Sequence, residues 1–165
     1  MKINDICLIR KGQRINNINL IQGIRQGFTI PVYGNSDRMI SLTNEFNREG
    51  ETIKISLYNK PQIILLNERY YLNDKAFTIE SNNQNLITNK FLYFYLKNNS
   101  NLIQYTGIAQ RKINMDHFIN IEIPIPSIIR QNEIIATTTE YDLQALQNRN
   151  NYINNLLQNI IIDFN

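Results

Sequence analysis

The feature that most constrains this chain is a long stretch, residues 128–164, with neither proline nor glycine. Pro124 and Pro126 stop whatever precedes it, and Ser127 offers the side-chain oxygen that caps helix starts. A heptad frame fits the stretch, with Ala136, Leu143, Asn150, Leu157 and Phe164 at a positions and Thr139, Leu146, Ile153 and Ile160 at d positions. A single asparagine at an a position is a register and oligomer device. Some 35 helical residues would reach about 50 Å. Such a rod, with an apolar seam, is expected to stand exposed and seek a partner through Leu143, Leu146, Asn150, Ile153, Leu157 and Ile160. Thr137, Thr138 and Thr139 are weak helix formers, so a kink or break is expected there.

The region before the rod has a different pattern. Strands are expected at Ile6-Cys7-Leu8-Ile9, at 28–33 before the turn cluster Gly34-Asn35-Ser36-Asp37, and at 52–58. In the last of these Ile53, Ile55 and Leu57 alternate as on a half-buried strand. Pro61 precedes Ile63-Ile64-Leu65-Leu66, which reads as a fully buried strand, and 70–72 and 76–79 suggest two more around Asn73-Asp74. From Thr88 the period becomes helical through Leu96. A polar loop, 106–114, leads to a last strand expected on Phe118, Ile119, Ile121 and Ile123. This is an α+β chain: small mixed sheets with helices, then a long C-terminal helix.

Charge is uneven. Residues 1–120 hold 15 basic and 9 acidic residues, and residues 121–165 hold 2 and 5. A basic body with a mildly acidic tail suits a polyanionic partner for the body. Strictly apolar runs reach four residues, far short of the roughly 20 of a membrane helix, so no membrane role is expected. The start carries no secretory pattern, and one cysteine, Cys7, points to a reducing, cytoplasmic setting.

Catalytic signatures are missing. There is no Pro-Pro pair, so no Asn/Asp-Pro-Pro-aromatic methyltransferase motif; no Gly-x-Gly, so no glycine-rich cofactor loop; and no Asp/Glu-x-Lys, the usual magnesium nuclease tripeptide. His117 and Cys7 are each single, too few for a zinc cluster. The expectation is a binder, with no catalytic residues, metal or cofactor.

Several segments in order resemble the target-recognition half of type I restriction–modification specificity subunits. Asn4-Asp5-Ile6-Cys7-Leu8-Ile9-Arg10-Lys11-Gly12 is similar to that family's opening, and Ile30-Pro31-Val32-Tyr33-Gly34-Asn35-Ser36 to its tyrosine-glycine turn. Leu72-Asn73-Asp74-Lys75-Ala76-Phe77 resembles its mid-domain turn, and Asn89-Lys90-Phe91-Leu92-Tyr93-Phe94-Tyr95-Leu96 its tyrosine-rich helix. Residues 107–114 resemble its "gly-x-x-gln-x-x-ile-asn" loop. The clearest piece, Ile123-Pro124-Ile125-Pro126-Ser127-Ile128-Ile129-Arg130-Gln131, is similar to the start of its spacer helix, with Ser127 and Arg130 where the family has Pro and Glu. Full specificity subunits carry two such halves; this chain shows one, without an internal repeat.

The resemblance implies a division of labour. Residues 1–126 would be a DNA target-recognition domain reading one half of a split site, and residues 127–165 a spacer and dimerisation helix. The partners implied are double-stranded DNA, methyltransferase subunits, restriction subunits where the system cleaves, and a second half-subunit or another copy of this chain. Methylation and cleavage would belong to those other subunits. The competing reading is an orphan or viral relative acting as a helix-mediated decoy. Arg and Lys hold phosphates, Asn and Gln suit adenine edges, and Arg and Lys suit guanine. On that basis the DNA-binding candidates are Gln110, Arg111 and Lys112, then Asn35 and Arg38, then Lys11 and Arg14, with Arg69 and Tyr71 as lesser ones.

Overall fold

The computed structural model describes residues 1–16 and 27–163, with side chains as far as residue 154. A short helix α1 (Ile3–Ile6) runs into strand β1 (Cys7–Lys11); then come β2 (Ile30–Tyr33), β3 (Ser41–Thr43), β4 (Glu51–Ser56), β5 (Ile63–Asn67), β6 (Tyr71–Leu72) and β7 (Ala76–Ser81). Helix α2 (Asn89–Asn98), the hairpin β8 (Tyr105–Thr106) and β9 (Lys112–Ile113), the turn α3 (Met115–Phe118) and the long α4 (Ile128–Asp163) complete the chain. The architecture is thus the α+β body and C-terminal rod expected from the sequence.

The main sheet is antiparallel, in the order β1-β7-β4-β5, and a second sheet has the order β3-β2-β6, with β2 and β6 parallel. Ile53, Ile55, Phe77 and Ile79 on one face of the main sheet bury against Phe91, Leu92, Leu96 and Phe118. The Phe77 and Phe118 rings meet edge to face at 5.1 Å.

Strand β4 is not half-buried. Its other face, Thr52, Lys54 and Ser56, is buried too: Tyr70 meets Thr52, the Ser36 carbonyl meets Lys54, and the β4–β5 turn folds back on Ser56 through the Lys60 carbonyl and the Gln62 amide. Thr52 Oγ1 and the Tyr70 hydroxyl share a hydrogen bond of 2.6 Å there. Conversely β5, expected to be fully buried, is an edge strand with partly exposed Ile64 to Leu66. The strand expected over 118–123 is also corrected. Asn114 caps α3 by accepting the His117 amide proton at 3.1 Å, so Phe118 ends a helical turn. Ile121 and Ile123 are buried instead by irregular pairing with the N-terminus, Ile3 N to Ile121 O at 3.0 Å and Ile123 N to Met1 O at 2.7 Å.

Helix α4 begins where Ser127 Oγ accepts the Arg130 amide proton at 3.3 Å. The buried Gln131 fixes its foot. Its Nε2 donates to the carbonyls of Leu86 and Pro126, and its Oε1 accepts from the amide of Thr88, the residue that caps α2. The helix does not break at the threonines. Thr137, Thr138 and Thr139 each donate the hydroxyl to the carbonyl four residues back at 2.8 to 3.0 Å, and the helix runs on. From Thr139 to Asn154 every side chain is exposed. No helix of the described residues is long and apolar enough to cross a membrane.

Candidate nucleic-acid interface

Five separate segments meet at one end of the body. Gly12 N donates to Ala76 O and Gln13 N to Leu72 O, laying the end of β1 on the β6–β7 turn. A methyl group on Gly12 would lie 1.8 Å from the Asn73 carbonyl oxygen, so only glycine lets the two backbones approach this closely. Asn73 N donates to Tyr33 O, bringing in the 34–38 loop, and Leu57 N donates to Lys75 O, bringing in the β4–β5 turn. That turn in turn holds the β8–β9 hairpin, through Asn59 N to Arg111 O at 2.8 Å and a bridge between Tyr58 and Lys112.

The side chains follow. Asn35 clamps Tyr58: its Nδ2 donates to the Tyr58 carbonyl at 3.2 Å and its Oδ1 accepts the Tyr58 amide proton at 2.9 Å. The Tyr58 ring has Lys75 Nζ and Lys112 Nζ each 5.7 Å from its centroid, and the Arg111 guanidinium sits 5.6 Å from the Tyr105 ring. Asn59, at φ +65°, and Lys60 project at the tip of the turn. Two open grooves flank it. One of about 400 Å³ lies between the 35–37 loop and residues 58–62, and one of about 470 Å³ lies between Lys60, Tyr105 and Arg111. Lys11, Arg38, Lys60, Lys75, Arg111 and Lys112 are all exposed here, against the carboxylates of Asp37 and Asp74. Cations interleaved with aromatic faces and open grooves can hold phosphates and stack or hydrogen-bond bases.

Of the residues singled out from the sequence, Lys11, Asn35, Arg38, Gln110, Arg111 and Lys112 come together. The Asn35 amide is occupied with the Tyr58 backbone, a positioning task. Arg14 extends the cluster beside Tyr71, whose hydroxyl reaches the Arg14 carbonyl at 3.5 Å. Arg69 is engaged elsewhere, bound to Glu49 at 2.7 Å and lying 5.1 Å from the Phe46 ring. Tyr58, Lys60 and Lys75 were not expected. Pro61 between two strand patterns was the available signal, because it marks the turn that exposes Lys60.

Beneath the 34–38 loop lies a buried lysine. Lys54 is fully buried on β4, and its Nζ donates to the Ser36 carbonyl. Desolvation pushes its ammonium down to about 8 from an ordinary 10.5, and nearby Asp37 opposes the shift. The unfolded chain therefore holds this proton more tightly between those values. The cost of the buried charge is fully present below about pH 8 and is relieved as pH rises toward 10.5. Denaturant unfolding across that window should show wild-type stability rising with pH, and Lys54→Met should remove this rise; an equal rise in both would assign it to another group.

On α4, Leu143 and Leu146 are each 56% exposed and Ile153 42%, with Asn150 exposed between them. The side chains of Leu157 and Ile160, and all of Phe164, lie outside the described residues.

The chain matches the family model for the type I restriction modification DNA specificity domain over residues 1–158. Its fold is similar to that of a type I restriction–modification S subunit from M. genitalium, with a TM-score of 0.73 at 16% identity, covering 86% of this chain and 38% of that one. It is similar also to the HsdS subunit from Thermoanaerobacter tengcongensis, with a TM-score of 0.63 at 17% identity, covering 89% of this chain and 37% of that one. The chain therefore spans less than two fifths of the length of these solved relatives. No curated protein is significantly similar in sequence.

Proposed function

Since the chain belongs to the type I restriction modification DNA specificity domain family, we propose that it is a non-catalytic recognition subunit that reads one half of a split sequence on double-stranded DNA. In this reading residues 1–126 are the target-recognition domain, and residues 127–165 are the spacer and docking helix. The single observation that carries it is the convergence of five segments to put Lys11, Arg38, Lys60, Lys75, Arg111 and Lys112 on one end of the body. Lysine and arginine on phosphates would set position, and Gln110 and Asn59 at the loop tips are placed to meet base edges.

The exposed helix supplies the remaining partners. Methyltransferase subunits, and restriction subunits where the system cleaves, would dock along α4 and carry out the chemistry. A second copy would complete the split site. Two-fold symmetry would then run the two α4 helices antiparallel and make the site palindromic. Selection of bound duplexes from a random pool tests the reading: one enriched motif, repeated in inverted orientation at fixed spacing, is expected. Salt-sensitive binding that enriches no motif would contradict it.

A further inference from the structure

Resting on the reading that α4 joins two copies, we infer that the helices pair antiparallel in one register, with the two-fold axis between Leu143 and Leu146. Thr139 then faces Asn150 of the second copy, and Asp142 lies beside Arg149 of the second copy. The exposed seam Ala136, Thr139, Leu143, Leu146, Asn150 and Ile153 is the surface involved, and every one of these side chains is open to solvent.

The sequence of the seam selects this register. In an antiparallel pair a positions face d positions, and slips come in steps of seven residues. With the axis between Leu143 and Leu146, those two leucines face each other's counterparts, Ala136 faces Ile153, and the two polar seam residues, Thr139 and Asn150, face each other. Thr139 already donates its hydroxyl to the Ile135 carbonyl at 2.8 Å, which leaves its oxygen to accept from the Asn150 amide. Reversing one helix also brings flanking positions of the same kind together, which pairs Asp142 with Arg149 twice. A slip one way sets Asn150 against Leu146 and Arg149 against Arg149. A slip the other way sets Asp142 against Asp142 and Glu140 against Glu140. Parallel pairing brings Asp142 beside Gln147 and Arg149 beside Asn154, forming neither ion pair.

The surroundings fit an incoming charge. Asp142 is 3.9 Å from Lys97, and these two with Ala145, Leu146 and Arg149 line an open groove of about 360 Å³. An arginine from the second copy would complete a Lys97–Asp142–Arg149 cluster. The register sets a length as well. It places the two α4 starts roughly 50 Å apart along the pair, and one heptad slip changes that by about 10 Å. That is roughly three base pairs of half-site spacing.

Sedimentation of the full chain and disulfide mapping test the inference. Asp142→Arg and Arg149→Asp should each weaken dimerisation about tenfold, and the double exchange should restore it. Chains carrying Ala136→Cys should cross-link to chains carrying Ile153→Cys and not to each other. Native Cys7 stays silent, since burial pushes its thiol up to about 12. A double exchange without rescue, Ala136→Cys linking to itself, or a link from Ala136→Cys to Ile160→Cys would each overturn the register. Duplex binding measured on the same samples separates the two ideas. A chain that dimerises but cross-links in another register overturns only this inference, one that binds DNA but stays monomeric overturns the two-copy reading and the register with it, and one that cross-links as expected but binds no duplex overturns only the DNA reading.

Discussion

A chain with Lys60, Arg111 and Lys112 all replaced by alanine is expected to bind duplex DNA about a hundredfold more weakly at fixed low salt, and to lose about 2.7 from the slope of log affinity against log salt. The three side chains are exposed, and they come from two turns joined by the Asn59–Arg111 and Tyr58–Lys112 backbone pairing. Each phosphate contact releases close to one counterion, so the slope counts contacts where affinity alone does not. Thermal stability should stay near wild type, because the structural bonds in these turns run through the backbone. Weaker binding with an unchanged slope would move the phosphate contacts away from these turns.

Arg48→Met is expected to cost roughly 3 kcal/mol of stability and about 10 °C in Tm, read by calorimetry. Arg48 is buried between the two sheets. It donates to Thr78 Oγ1 at 2.8 Å, to the Asn47 carbonyl at 2.8 Å, and to the carbonyls of Arg10 and Lys11 at 3.0 and 2.8 Å. Methionine fills similar volume but takes the guanidinium donors away from Thr78 Oγ1 and the Asn47 and Lys11 carbonyls, while the Arg10 carbonyl keeps only the Thr78 hydroxyl at 3.4 Å in their place. Burial, with Arg10 close by, lowers the Arg48 pKa, while Tyr70 and Glu80 oppose this, so the guanidinium is held at a desolvation cost that its hydrogen bonds offset. A loss under 1 kcal/mol would mean that water or backbone shifts replace the donor.

What the sequence discloses follows the range of the interactions. The rod was legible because its signals are local: Pro124 and Pro126, the Ser127 cap and an unbroken helical pattern. The Thr137-Thr138-Thr139 run does not break the helix as its propensity suggests, because the hydroxyls bond back to Glu133, Ile134 and Ile135 and so are satisfied within the helix. Strand β4 misled for the opposite reason. Its alternation shows one apolar face, and the polar one is covered by Tyr70 and Ser36, each 18 residues away in the chain, and by the strand's own following turn. The 118–123 segment alternates like a strand, yet the local Asn114 cap decides the turn. At the candidate interface, Arg111 and Lys112 stood out beside Gly107 in a polar loop. Lys60 and Lys75 are ordinary surface lysines in the linear chain, and only the pairing of Leu57 with Lys75 and of Asn59 with Arg111 brings them together.

Lysine acetylation of the full chain, with and without the selected duplex, tests the central claim most directly. Lys60, Lys75 and Lys112 are expected to be shielded by DNA. Lys90, beyond the far end of β7 where Asn89 accepts the Ser81 amide proton, and Lys2, before the far end of β1, are expected to label as in the free chain. Shielding of Lys2 and Lys90 with Lys60, Lys75 and Lys112 left reactive would place the duplex on the opposite end of the body and contradict the account.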